Sequence, residues 1–327
     1  MVRSMKAYVT HTTALFYWRV ISPARALPRS VGGEGLWGCC ETVQDTKRIN
    51  FPSALHGAGK LDLLVPDAGL RVMPREFDYH VNSRPYPPGS FLMVADDIWV
   101  ASPELCFLQM GETLSVAGLI ALGLELCGGY RLRPEGGFSS NCPPLASPAS
   151  IARFLEAAAG HRGVKAARRA ARFLLEGSAS PMESALYERV CLPLQLGGYA
   201  SPQPELNGSM ALTRGQQNVA RRSTLYGDLY WRDRNVLLEY DGERDHTGRE
   251  KLTRDAMRDN AIASRHIRRL TVTADLYRDF RAFDDIMREL FRLLGERMRI
   301  PSGKQLTVRR GLPRELRLQE ILTWKQQ

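Results

Sequence analysis

The feature that most constrains this chain is a pair of apolar runs joined by a short polar segment, LYGDLYWRDRNVLLEYDG at residues 225–242. Such runs on either side of a turn predict an antiparallel hairpin. With the turn centred between the two runs, Asp228 faces Glu239. Facing residues share one side of a sheet, with Cβ atoms about 4.5–5.5 Å apart. Strand alternation adds Asp241 to that side. The sequence therefore predicts three carboxylates on one patch of sheet.

Such a cluster of negative charges repels itself at neutral pH unless a positive charge neutralises it. A hard divalent cation, Mg²⁺ or Mn²⁺, does so by binding one or two carboxylates together with oxygens of a substrate phosphate. A cation there would polarise a phosphodiester and lower the pKa of water. His246 follows Asp241 closely enough to shuttle a proton or to orient that water. The pattern therefore indicates a metal-dependent hydrolytic site.

Each of these residues also has an ordinary interpretation. Asp241 begins an Asp-Gly pair, which is common in turns. A glutamate at a strand end, such as Glu239, usually faces solvent, and a single histidine such as His246 is more often a surface residue than a catalyst. Glu183, in SASPMES, completes a capping-box pattern and by itself indicates a helix start. It is their combination that favours a metal site.

The charge of the chain is distributed unevenly. Residues 1–160 carry 14 basic and 14 acidic side chains, so the whole formal charge of +10 belongs to residues 161–327. Arginine supplies most of it, and arginine is suited to bidentate phosphate contacts. This asymmetry favours a nucleic-acid partner, although a solvated surface could have the same composition.

The length and the breaker residues predict two domains of α/β type. A Pro-, Gly- and Ser-rich stretch at 131–149 is the expected boundary. We therefore expect a smaller α+β domain at 1–150, a mixed sheet flanked by helices at 165–298, and a loosely attached basic tail at 299–327.

Two negative observations bear on location and chemistry. No apolar run approaches the roughly 20 residues of a membrane span, and the N-terminus lacks the pattern of a secretory signal. The six cysteines are scattered and form no CxxC pair, which indicates reduced thiols, no structural zinc and a cytoplasmic protein.

Periodicity and capping signals predict the main elements. Strands are expected at 61–67, 91–102, 225–231, 235–242 and 266–273. Helices are expected at 103–123, 151–160, 164–177, 181–190, 247–265 and 277–297.

Around EYDGERDH the chain resembles a PD-(D/E)XK nuclease-superfamily domain, and in particular the restriction-endonuclease-like family related to very-short-patch-repair endonucleases. The similarity covers about residues 175–295. Its pieces occur in the family's order: SPMES, the strand with Asp228, LLEYDG, His246, and RDAMRDN before IRRLTVTADLY. The resemblance implies a restriction-endonuclease-like mixed sheet flanked by helices.

The resemblance also implies a ligand set for Mg²⁺. Asp228 and Glu239 match the metal-binding carboxylates, with the backbone carbonyl of Tyr240 as an additional ligand. Asp241 stands where the broader superfamily signature has lysine, as this branch often does. The loss of that lysine leaves the activating base undefined.

Other matched positions support the chemistry. His246 corresponds to the active-site histidine of this branch and Glu183 to its first-helix glutamate. Asp255 and Arg258 match the charged helix that follows, where support or phosphate contact is implied. One departure is Gly227, which stands where the family has proline.

The first half resembles, less closely, the region that precedes such nuclease domains in proteins with an abortive-infection antitoxin-like N-terminal part. The stretches HTTALFYW, DLLVPD and IWVASPELCFLQM carry this similarity. The DNA-binding winged helix usual at the start of those proteins is not expected here, and we assign this half no chemistry.

The residues leave three functions open. The leading one is a Mg²⁺-dependent DNA endonuclease, the alternative is a non-catalytic DNA-binding regulator of toxin–antitoxin type that keeps the nuclease scaffold, and the third is an RNA nuclease. As partners, a second copy of the chain and a toxin–antitoxin or defence protein also stay open. The expected phosphate contacts are Arg221, Arg222, Arg249, Lys251, Arg254 and Arg258.

Overall fold

The computed structural model divides the chain into two mixed α/β units, Met1–Leu174 with Leu318–Gln327, and Leu175–Arg317. The residues that the structure describes are 6–21, 46–47, 49–67, 69, 76–215, 217, 223–242, 256–260 and 262–316.

The first unit is built on a five-stranded mixed sheet. Its strands are β1 (Ala7–Val9), β2 (Leu61–Val65), β3 (Phe77–Val81), β4 (Phe91–Ala95) and β5 (Ile98–Ala101). They lie in the order β3-β2-β1-β5-β4, with β2–β3 and β1–β5 parallel and the other two pairs antiparallel. A separate antiparallel pair comprises β6 (Tyr130–Leu132) and β7 (Phe138–Ser140).

Helices accompany this sheet. They are α1 (His11–Val20), α2 (Pro103–Met110), α3 (Val116–Leu126), α4 (Pro148–Ala157) and α5 (Val164–Ala171), with a 3₁₀ turn at Ser53–Ala58. The predicted start of α2 is confirmed, because the Ser102 hydroxyl accepts a hydrogen bond from the Leu105 N–H at 3.2 Å.

Two predicted elements of this unit are each divided in two. The expected strand at 91–102 is a hairpin that turns at Asp97, whose φ is +60°. The expected helix at 103–123 ends at Met110 and restarts after Ser115, which caps α3 through Gly118 N–H at 3.0 Å. Gly111 lies at the break, where a Cβ would be 2.7 Å from the Gly163 carbonyl oxygen.

The division between the units lies later than the predicted boundary near residue 150. Helices α4 and α5 pack with α2 and α3, and a Cβ at Gly123 would lie 2.4 Å from the Leu174 side chain. The apolar faces of α4 and α5 therefore complete the first core. The Pro/Gly/Ser-rich stretch at 131–149 is largely the β6–β7 hairpin of the same unit.

The second unit contains a four-stranded mixed sheet. Its strands are β8 (Glu205–Ala211), β9 (Thr224–Trp231), β10 (Val236–Asp241) and β11 (Arg268–Thr273), in the order β11-β10-β9-β8. The pair β10–β11 is parallel and the other two pairs are antiparallel. This sheet is separate from the one that contains β2, as the prediction of two domains requires.

Helices of the second unit are α6 (Pro181–Cys191), α7 (Ala274–Arg278), α8 (Phe280–Leu294) and α9 (Gly303–Glu315), with 3₁₀ turns at Leu194–Leu196 and Arg232–Arg234. The predicted helix at 277–297 begins anew at Asp279, whose carboxylate accepts hydrogen bonds from two N–H groups of the first turn of α8. Buried Phe283, Met287 and Leu290 follow the spacing of an amphipathic helix.

The C-terminal segment is more firmly attached than the predicted tail. Arg309 on α9 is 2% exposed, stacks on the Tyr199 ring at 3.8 Å, and donates to the Gly198 carbonyl at 3.3 Å. Leu312 is buried beside it. The sequence pattern is weak here because α9 is held largely by a buried arginine rather than by a broad apolar face.

None of the helices in the described ranges has both the length and the apolar character needed to cross a bilayer. Cys106, Cys127, Cys142 and Cys191 carry thiols rather than disulfides, in agreement with the predicted reduced state of these four cysteines.

Candidate functional site

The hairpin of β9 and β10 has the predicted register. Its paired positions are Val236 with Trp231, Leu237 with Tyr230, and Leu238 with Leu229. Residues 232–234 form the turn, which ends at Asn235 in the left-handed conformation (φ +50°). The next pair in this register would be Asp228 and Glu239.

The β9–β10 ladder ends just before that pair, whereas β10 remains paired with β11 as far as Asp241. Beyond this point, side chains form the hydrogen bonds to backbone groups of the two strands. The Tyr240 N–H donates to Asp228 Oδ2 at 2.7 Å, and Arg258 donates to the Tyr226 carbonyl at 2.7 Å. Two backbone groups next to the end of the ladder, the Tyr240 N–H and the Tyr226 carbonyl, are thus satisfied by side chains of the predicted site.

Strand β9 changes phase at Asp228. Asn207 has a left-handed φ of +47°, and the β8–β9 register omits the pair of Asn207 with Asp228. Leu225 and Tyr230 pack in one apolar cluster with Leu237, although five residues of regular strand would put them on opposite faces. Simple alternation, on which the predicted shared face was based, therefore does not hold at Asp228.

Three carboxylates interact here nevertheless, and we call Glu183, Asp228 and Glu239 the acidic cluster. Burial and, to a smaller extent, the charge of Glu183 raise the pKa of Asp228 to about 7. Burial also raises the pKa values of Glu183 and Glu239, the latter with a contribution from Asp228. The protein environment therefore disfavours the charged forms of all three groups.

Glu183 is held in place by the start of α6. The predicted cap is confirmed, since the Ser180 hydroxyl accepts from the Glu183 N–H at 3.2 Å. The Glu183 carboxylate in turn accepts from the Ala179 N–H at 2.8 Å, one residue before the position that a standard capping box would use. Its helix-capping role and its membership of the acidic cluster coexist.

Two arginines contact Glu239. Arg258 donates to one carboxylate oxygen, and Arg269 Nη1 lies 3.5 Å from the other while also bonding Asp259 at 2.6 Å. Arg258 was expected to contact phosphate, and in this structure it faces the carboxylate. Arg269 was not identified from the sequence, and the only signal for it is an arginine within an apolar strand, at the position that pairs with Leu237.

The remaining predicted residues fall into two groups. Asp241 is exposed at the end of β10, and among the described residues it is not one of the charges that shift Asp228 or Glu239. Asp241 was expected to be the third carboxylate of the cluster, but that position is taken by Glu183. Outside the described residues lie His246, Asp255, Arg221, Arg222, Arg249, Lys251 and Arg254.

A metal ion at this site would need oxygen donors from the acidic cluster. Within the described ranges, no group of three or more His, Cys, Asp or Glu side chains is arranged to hold a metal ion. Mg²⁺, however, commonly takes only one or two protein carboxylates and completes its shell with water and substrate phosphate. Asp228 and Glu239, both oxygen donors whose charged forms are disfavoured by burial, fit that smaller requirement.

Comparisons of the chain with protein-family models, with curated proteins and with solved structures found no match in any of the three.

Proposed function

We propose that this protein is a Mg²⁺-dependent endonuclease that hydrolyses phosphodiester bonds of DNA, and that its second unit has a restriction-endonuclease-like fold. The observation that carries the proposal is the interacting pair of Asp228 and Glu239 at the end of the β9–β10 ladder. Two carboxylates with unfavourable charged forms, next to an arginine, form a site that gains from a cation.

Each residue has a part in the proposed reaction. Asp228 and Glu239 would hold the cation, with the Tyr240 carbonyl as a further oxygen donor. When bound, the cation supplies Lewis acidity, which polarises the phosphoryl group and lowers the pKa of the attacking water. Glu183 adds negative charge behind Asp228, and His246 is proposed to take up or deliver the proton.

Arg258 would exchange partners as the site fills. It now donates to Glu239 and to the Tyr226 carbonyl. A divalent cation on Glu239 would compensate the same negative charge, so the guanidinium could turn to a phosphate oxygen near the scissile bond. Charge-assisted bonds to phosphate are among the stronger hydrogen bonds that arginine makes. Arg258 would thus couple the metal site to the substrate.

A nucleic-acid substrate is supported by charge. All of the formal charge of +10 lies in residues 161–327, which include the acidic cluster. Affinity for nucleic acid is dominated by neutralisation of backbone phosphates by Lys and Arg.

The proposal is tested by incubating the full chain with supercoiled plasmid, with Mg²⁺ or with EDTA, beside Glu239→Ala. Nicked or linear product that requires both Mg²⁺ and Glu239 supports it. Cleavage that is equal in the variant would place the active site elsewhere, and an RNA substrate cleaved in preference to plasmid would correct the substrate class.

A second function is favoured by one observation. Glu239 is already paired with Arg258 and Arg269, which is the arrangement expected of a site that has exchanged its metal for internal ion pairs. In that case the protein would be a non-catalytic DNA-binding regulator of toxin–antitoxin type. Tight binding of DNA without cleavage in Mg²⁺, Mn²⁺ or Co²⁺ would favour this alternative.

A further inference from the structure

A second polar site lies wholly within the first unit, in a cleft of 490 Å³. Small-ligand sites commonly have volumes of about 300–1,000 Å³. The lining side chains that bear on its chemistry are His11, His80, Arg84, Tyr86, His161 and Arg162.

Asp62 anchors one wall of this cleft. It is 3% exposed, and its Oδ2 accepts hydrogen bonds from the Thr12 hydroxyl at 2.6 Å, the Thr13 N–H at 2.9 Å and the Thr13 hydroxyl at 3.0 Å. Its Oδ1 lies 3.0 Å from His80 Nε2. A carboxylate that accepts from Nε2–H fixes the orientation and the tautomer of the ring, so that in the neutral ring Nδ1 is left as an acceptor.

His11 lies against this histidine. The two imidazole rings stack with centroids 3.7 Å apart and planes inclined by 17°. His11 Nδ1 is 3.1 Å from the Thr10 hydroxyl, and its backbone N–H donates to Gln109 at 3.1 Å. Its φ of +47° is unusual for a residue with a side chain, and such strain is concentrated at functional sites. The pair of histidines is therefore held in one arrangement from several directions.

Two arginines, Arg84 and Arg162, also line the cleft. The Arg84 guanidinium crosses Gly160, where a Cβ would lie 2.0 Å from Arg84 Nη1 and where φ is +86°. The His161 ring stacks on Tyr86 with centroids 4.6 Å apart, and burial lowers the pKa of His161. Arg162 follows directly. Among the described residues that line the cleft, the only acidic one is Glu112.

We propose that this cleft binds a small organic phosphate of the nucleoside monophosphate class. Two guanidinium groups line the cleft against one carboxylate, which favours an anion, and the imidazoles add polar groups beside them. The planar rings of Tyr86 and His161 offer a stacking surface for a base, while the guanidinium groups of Arg84 and Arg162 are suited to phosphate oxygens. Gly160 is needed because a larger residue would displace Arg84.

Calorimetric titration of the full chain in EDTA tests this proposal, with inorganic phosphate, adenosine 5′-monophosphate and adenosine as probes. Both phosphates are expected to bind, the nucleotide more tightly. Arg84→Ala should weaken nucleotide binding about tenfold or more, because it removes a charge-assisted hydrogen bond. Gly160→Ala should act in the same direction. Arg153→Ala, an exposed arginine on α4 outside the cleft lining, is the matched control and should leave binding unchanged.

Several results would overturn the proposal: no heat from either phosphate, adenosine binding as tightly as its monophosphate, or equal losses from Arg84→Ala and Arg153→Ala. Tighter binding of a single-stranded 30-nucleotide DNA with the same dependence on Arg84 would also do so, since the ligand would then be a polymer. If Arg84→Ala lowers the melting temperature, Arg162→Ala replaces it in the same titration and is expected to weaken nucleotide binding as well.

Discussion

Asp62 in the first unit and Asp228 in the second are both carboxylates withdrawn from solvent, yet their surroundings differ. Asp62 accepts three hydrogen bonds on one oxygen and meets His80 on the other. Asp228 accepts one backbone hydrogen bond, from Tyr240, and has a second carboxylate, Glu183, close enough to raise its pKa. The protein itself balances the negative charge of Asp62, whereas it balances that of Asp228 only in part.

The difference indicates two kinds of task. A carboxylate with a full set of donors orients its neighbours and stabilises the fold, because its charge is already balanced locally. A buried carboxylate with a single donor and a second carboxylate nearby has an unfavourable charged form, which a bound cation would relieve. On this basis we propose that Asp62 positions His80 and that Asp228 serves as a metal ligand.

The largest expected effect is on cleavage. Asp228→Asn and Glu239→Gln should each lower the rate of Mg²⁺-dependent plasmid cleavage by about 10²–10⁴-fold, because several kcal/mol of transition-state stabilisation is lost with the cation. DNA binding should persist, since a negative charge has been removed. Glu205→Gln is the control, because Glu205 lies in the same unit and pairs with Arg232 at the surface. An Asp228→Asn protein as active as the parent would contradict the assignment.

The next effect concerns stability of the first unit. Asp62→Ala should lower the free energy of unfolding by about 2–4 kcal/mol, because it leaves Thr12, Thr13 and His80 groups without their acceptor. Asp78→Ala is the matched control on the neighbouring strand, where Asp78 makes a half-exposed ion pair with Lys60 and a loss below about 1 kcal/mol is expected. Urea unfolding measures both, and equal losses would mean that Asp62 is not specially engaged.

Substitution of Asp228, unlike that of Asp62, is expected to raise the free energy of unfolding at high pH. The pKa of Asp228 in the folded state, about 7, exceeds the ordinary 3.8. Stability that depends on its proton is therefore present below about pH 4, declines as pH rises to about 7, and is absent above that. In EDTA, Asp228→Asn should stabilise the protein at pH 8, by about 1–3 kcal/mol, and should have little effect at pH 4. Urea unfolding at the two pH values measures this, and a destabilised variant at pH 8 would remove the distinction between the two aspartates.

The smallest effect is expected at Arg258. Arg258→Ala should strengthen Mn²⁺ binding by up to about fivefold, since the guanidinium competes with the cation for Glu239, within the range of a partly exposed ion pair. Its DNA affinity should fall, with a salt dependence reduced by about one phosphate contact. The control is Arg278→Ala, whose exposed side chain pairs with Asp275. Weaker Mn²⁺ binding in Arg258→Ala would show that Arg258 supports the site rather than competing for it.

The sequence predicted the parts of the second unit that follow from local pattern. Two apolar runs around a polar turn determine one hairpin register, and Ser180 with Pro181 determines the start of α6. The phase change at Asp228 was not predictable, because it depends on a left-handed Asn207 in a different strand. The pairing of Glu239 with Arg258 was also missed, since it joins residues 19 positions apart through tertiary packing.

The cleft of the first unit could not be predicted from the sequence, because tertiary packing brings its residues together. Asp62 and His80 come from adjacent parallel strands, and His11 begins a helix that packs nearby. No spacing rule connects these three positions. The boundary predicted near residue 150 differs from the division after Leu174 because Pro, Gly and Ser mark a hairpin as readily as a domain boundary.

The central claim is that Asp228 and Glu239 bind a divalent cation. Its most direct test is a titration of the full chain with Mn²⁺, in which electron paramagnetic resonance measures the unbound ion. The account predicts one site that Mg²⁺ displaces and that is lost in Asp228→Asn and in Glu239→Gln, but kept in Glu205→Gln. No bound ion in the parent protein, or one that survives both substitutions, would contradict it.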